Sequence, residues 1–151
     1  MPPQFSRNFA TAALLPDGTV ILAGGQANPD PQGAVNSTDI YDPSKDNASC
    51  TGGCSAWSVG PAMNVGHCHG TMTTLSNGML LVAGGRCGPA DSIAVAELYD
   101  PAAKQWSPAA SLGSARGFDA AALLKDGRVL VAGGILAGGA ISNTMEIYTP
   151  A

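Results

Sequence analysis

The sequence is short of charge, and the charge it carries leans acidic. Asp, Glu, Lys and Arg together make up 12% of the 151 residues, and the formal net charge is −4. Nucleic acid needs a basic face against its phosphates, so this balance argues against it as a partner. No apolar run approaches the roughly 20 residues of a membrane-spanning helix, so no membrane contact is expected. No segment carries the 3.6-residue periodicity of an amphipathic helix. Ser-His-Asp sets, phosphate loops and paired-carboxylate motifs are missing. Gly133-Gly134 and Gly138-Gly139 are not a dinucleotide fingerprint, because no helix follows them. Met1–Phe5 lead almost directly into the first strand, so no signal peptide is expected.

What the sequence has is glycine, 20 residues of it, and a repeat. Arg7–Gly25, His67–Gly85 and Arg116–Gly134 align without a gap. Downstream, Tyr41-Asp42-Pro43 matches Tyr99-Asp100-Pro101 and Tyr148-Thr149-Pro150. Trp57 matches Trp106, and Met63 matches Leu112. The glycine pairs start at 24, 84 and 133. The longer first period comes from loop insertions, most of it between Tyr41 and Trp57.

Each copy reads as antiparallel strands. Asp17-Gly18, Asn77-Gly78 and Asp126-Gly127 sit between apolar runs and suit a two-residue type I′ hairpin turn. The strand after the turn is apolar on both faces, as for a strand covered on both sides. The first strand is rich in Ala, Gly and Thr, small residues that suit a crowded axis. The double glycine permits a sharp backbone turn. Asp-Pro ends the third strand, and the Trp strand is the outer fourth. The expected fold is all-β, with about three four-stranded antiparallel propeller blades in an incomplete ring: 7–63, 67–112 and 116–151, the last lacking its outer strand. Propellers close with about 4–8 blades. Two explanations stand for the incomplete ring: the chain is part of a larger propeller, or two copies associate into a six-bladed ring.

The Arg, Asp-Gly, Gly-Gly, Tyr-Asp-Pro and Trp pattern resembles the kelch repeat across nearly the whole chain. Trp106–Phe118, Lys125–Gly134 and Gly138-Gly139 are similar to the kelch propeller of galactose oxidase and glyoxal oxidases. That resemblance implies a copper radical oxidase as one reading, with copper as cofactor and a tyrosine cross-linked to a cysteine. Carried over by position, the tyrosine falls on Phe118, the cysteine on His69 and a covering tryptophan on Leu136. Cys68 is one residue out of place. No complete copper site results, so no cofactor is expected outside the oxidase reading.

The four cysteines allow three full pairings. A two-residue loop at Asn77-Gly78 places Ser76 opposite Met79 and, counted back along both strands, Cys68 opposite Cys87. That spacing is compatible with a disulfide. Cys50 and Cys54 flank Thr51-Gly52-Gly53 and are a second candidate pair. Oxidised cysteines would indicate an extracellular or secreted setting, to which the sequons at Asn36 and Asn47 add a little. His67, Cys68, His69 and Cys87 could alternatively bind metal, but Cys68 points away from the face that the two histidines share, and no metal site is assigned. Arg7 and Arg116 are expected to bond carbonyls or acidic groups near the axis. Arg7, Arg116, Asp119, His67 and His69 are candidate ligand contacts. The leading functional reading is a non-catalytic scaffold that binds a protein or glycan through its loops, above all Ser44–Ala56 and Gln26–Val35. The alternative is part of a copper radical oxidase.

Overall fold

The computed structural model describes residues 6–27, 33–46, 55–88 and 92–150. Blade 1 is a four-stranded sheet of Thr11–Leu14, Val20–Ala23, Thr38–Tyr41 and Trp57–Val59, in that order. Blade 2 has Thr71–Thr74, Leu80–Ala83, Ala96–Asp100 and Gln105–Ala109. Blade 3 has three strands, Ala120–Leu123, Val129–Ala132 and Met145–Tyr148. All pairings are antiparallel. Beyond the glycine pairs, short ladders continue two of the blades: Arg7–Asn8 on Gln26–Ala27, and Arg116–Gly117 on Ile135–Leu136. Among the described residues the helical content is one 3-10 turn, Pro43–Lys45, capped by the Asp42 side chain.

The core lies between blades. Ile21 and Leu15 of blade 1 pack against Leu80 and Tyr99 of blade 2. Leu81 and Ala83 pack against Val129 and Val131 of blade 3. The apolar run on the second strand is therefore used on both faces in blade 2, where Leu80–Ala83 is buried throughout. The glycine pairs let the blades approach. A side chain at Gly24 would come within 2.1 Å of the His67 carbonyl, and one at Gly84 within 2.6 Å of the Arg116 carbonyl. Both glycines also take positive φ.

The hairpin turns differ from the type I′ expectation. Leu15, Leu75 and Leu124 each receive the N–H of the glycine three residues on, and each donates to the residue beyond that glycine. The loop therefore has three residues, with positive φ only at its glycine. The preceding acid or amide fixes this form: Asp17, Asn77 and Asp126 each accept the N–H two residues later. That is a type I turn closed by a left-handed glycine. The consequence is a register one residue from the expected one, with Thr74 opposite Leu80.

Candidate functional site

The shifted register bears directly on the cysteines. Arg86, not Cys87, lies across from Cys68, and its N–H donates to the Cys68 carbonyl at 2.6 Å. The disulfide nevertheless joins Cys68 to Cys87, one position along, with Cα atoms 5.5 Å apart. The expected pair is correct, but the direct-opposition argument for it is not. Cys50 and Cys54 lie outside the described residues.

Arg7, His67 and Arg116 occupy one repeat position and point into the blades. Arg7 donates to the carbonyls of Gly24 and Ser37 and pairs with Asp39 at 2.7 Å. Arg116 donates to the carbonyls of Gly133 and Thr144 and pairs with Glu146 at 2.6 Å. His67 faces the Gly84 carbonyl at 2.7 Å and Glu97 at 3.3 Å. All three side chains are buried. They hold carbonyls and carboxylates inside the blade, as expected for the arginines, and present little surface to a ligand.

The acids do a second job. Glu97 accepts the N–H groups of Asn64 and Val65, in the segment entering blade 2. Glu146 does the same for Gly113 and Ser114, entering blade 3. Each carboxylate thus fastens the incoming connection to its blade.

His69 is placed differently. It lies at φ 53°, and its repeat counterparts Phe9 and Phe118 lie at 57° and 59°. Bulky residues rarely take this left-handed conformation. At His69 and Phe118 it turns the N–H back toward the preceding blade: His69 donates to the Phe9 carbonyl and Phe118 to the His69 carbonyl. The same twist stacks the three rings. Phe9 and His69 have centroids 3.7 Å apart, and His69 and Phe118 3.9 Å. About half of each phenylalanine stays exposed. His69 Nδ1 is 2.9 Å from the Arg86 carbonyl, an acceptor, so Nδ1 carries the proton. The left-handed turn separates His67 and His69, which an unbroken strand would put on one face.

Asp119 follows Phe118 where blades 1 and 2 have Ala10 and Gly70. Its Oδ1 is buried and meets no donor among the described residues, while Thr71 donates a long bond to Oδ2. Burial pushes its carboxyl up to about 6, against the opposing pull of its own backbone N–H, Arg116 and Thr71. The axial face thus carries a stack of aromatic rings beside a carboxylate that is easily protonated.

The described ends of the favoured loops lie on opposite faces. Gln26–Ala27 pairs with Arg7–Asn8, so that loop leaves beside Phe9. Asp42 and Lys45, at the start of the other loop, line a cavity of about 280 Å³ with Asp17 and Lys104, on the hairpin-turn face. Residues 28–32 of the one loop and 47–54 of the other lie outside the described residues.

The strand order and glycine pairs of blade 2 recur in the blades on either side of it. Residues 67–113 match the family model of the Kelch motif. The chain is similar to galactose oxidase of Gibberella zeae, 35% identical over 74 residues, 49% of this chain and 10% of that protein. It is also similar to tRNA wybutosine-synthesizing protein 4 of Saccharomyces cerevisiae, 39% identical over 85 residues, 54% of this chain and 12% of that protein. The match spans about a tenth of these relatives. Their names point to different chemistries, so what the comparison shares is the repeat.

The axial residues do not fit a copper radical centre. Phe118 has no phenol oxygen, and Cys68 is consumed in a disulfide. Among the described residues, no three His, Cys, Asp or Glu side chains converge. Sequence reasoning singled out His69 and Asp119 but not Phe9 and Phe118 as a binding pair. Their shared repeat position was the available signal; the left-handed backbone that stacks them was not visible.

Proposed function

We propose that these blades are a non-catalytic binding scaffold that takes a protein or glycan ligand on the axial face. The observation that carries this reading is the Phe9–His69–Phe118 stack, half exposed and held in an uncommon backbone conformation. Exposed aromatic faces bury large area at small entropic cost, and a few placed polar groups set orientation. Asp119 supplies one such group. The blade limits 7–63, 67–112 and 116–151 define the unit proposed. Glycan arrays and displayed peptide libraries test it, probed with wild type, Phe9→Ala/Phe118→Ala and Lys45→Ala. Ligands lost with the phenylalanines and kept with Lys45→Ala support the axial site. Ligands lost only with Lys45→Ala, on the other face, overturn it.

Similarity to galactose oxidase favours a second reading, that these blades form part of a copper radical oxidase. Peroxide release from alcohols or aldehydes after copper loading would favour it. With Phe118 in place, none is expected from this chain.

A further inference from the structure

The two blade junctions share one pattern. Between blades 1 and 2, the Gly25 N–H donates to the His67 carbonyl at 2.6 Å and the His69 N–H to the Phe9 carbonyl at 3.1 Å. Between blades 2 and 3, the Gly85 N–H donates to the Arg116 carbonyl at 2.7 Å and the Phe118 N–H to the His69 carbonyl at 2.8 Å. Beneath these bonds, the leading blade supplies Ile21 or Leu81. The trailing blade supplies Leu80 and Tyr99, or Val129 and Tyr148.

Blade 3 repeats the leading half of this pattern. Leu130 and Ile147 stand where Leu81 and Leu98 stand in blade 2, paired across the sheet. The Gly134 N–H and the Phe118 carbonyl meet no partner among the described residues. Blade 1 repeats the trailing half, with Val20 and Tyr41 paired as Leu80 and Tyr99 are. Its Phe9 N–H likewise meets no described partner. Apolar exposure is heavy on both faces: Leu14 and Val59 are 64% and 60% exposed on blade 1, and Met145 and Ile147 69% and 44% on blade 3. Soluble monomers rarely leave contiguous faces of this kind open.

We propose that the blade 3 face of one copy docks on the blade 1 face of a second copy. The two faces are different patches, so the contact is head to tail, and two copies of three blades close a six-bladed ring. A second copy is the occupant because both halves of the junction lie on this one chain. The Phe9 N–H of one copy reaches the Phe118 carbonyl of the other, as His69 and Phe118 already do within the chain. The docked surfaces continue the pattern of the two existing junctions.

Light scattering of the purified chain tests this, with Val20→Lys and Ile147→Lys. Wild type should have twice the 15.0 kDa chain mass. Each variant disables both junctions of its own dimer and should be monomeric. Mixing the two variants leaves one intact junction, the Val20→Lys blade 3 against the Ile147→Lys blade 1, and should restore a weaker dimer. That restoration also shows that both variants fold. A monomeric wild type overturns the proposal and leaves these faces to blades of a longer polypeptide. A mixture that stays monomeric, or single variants that still dimerise, overturns the head-to-tail geometry.

Discussion

Blades 2 and 3 carry almost the same second strand and bury it differently. Leu80–Ala83 is buried at every position, whereas Val129–Ala132 alternates between buried and half-buried. The residue types are nearly identical, so propensity does not explain the contrast. The neighbours do: among the described residues blade 2 is covered on both faces, while blade 3 is covered by blade 2 alone. An apolar strand of this kind states what it needs, and the tertiary structure decides how much of it is supplied.

The largest expected effect contrasts two carboxylates at one repeat position. Glu97 is 1% exposed and Glu146 24%. Glu97→Ala strands two backbone N–H groups and the His67 ring, and is expected to cost about 4 kcal/mol. Glu146→Ala should cost about half as much, by urea denaturation. Equal losses would break the contrast between covered and open blades. Next is the apolar pair. Leu81→Ala should cost about 3 kcal/mol, and Leu130→Ala less than about 1 kcal/mol, both measured in the monomeric Ile147→Lys background. A large loss at Leu130 there would show that blade 3 is packed by something other than a neighbouring blade.

The disulfide belongs to blade 2 alone among the described residues. Its closed loop separates the cysteines by 19 residues. Cys68→Ala/Cys87→Ala should cost about 2 kcal/mol, read from the chemical melt. The same change should lower ligand binding at the stack, because Cys68 immediately precedes His69.

The smallest effect is at Asp119, the one acid at a position that is Ala10 and Gly70 elsewhere. Its folded-state carboxyl titrates near 6, above the ordinary value of 3.8. The folded protein therefore takes up the proton first. Stability rises as pH falls through about 6, and the gain is complete near 4. Above 6 the burial penalty is present in full. Asp119→Asn should raise Tm by about 2–4 °C at pH 7.5, after discounting for partial exposure. The advantage should vanish by pH 4. An Asp119 carboxyl signal titrating near the ordinary value would remove the basis for this prediction.

Much of the architecture was legible from particular residues. The Asp-Gly turns, the double glycines and the Tyr-Asp-Pro steps placed the strands, and the repeat placed Arg7 and Arg116 against carbonyls or acids. The site was legible in part. His69 and Asp119 stood out as candidate contacts, while Phe118 was legible only as the residue at the oxidase tyrosine position and Phe9 only as its repeat counterpart. Nothing in a phenylalanine signals a left-handed backbone; at Phe118 that conformation accompanies a hydrogen bond to the neighbouring blade.

The sequence by itself determined the repeat and the strand order within a blade, because these follow from local turn chemistry and short spacings; it left the cysteine pairing to the structure. It misjudged the hairpin by one residue, because an Asp or Asn side chain that accepts a nearby N–H selects a different turn at no visible change in composition. Only the tertiary structure decided which faces are covered, which rings stack and which carboxylate oxygen is left without a donor. Those outcomes depend on groups from separate blades meeting in space, and no single repeat contains them.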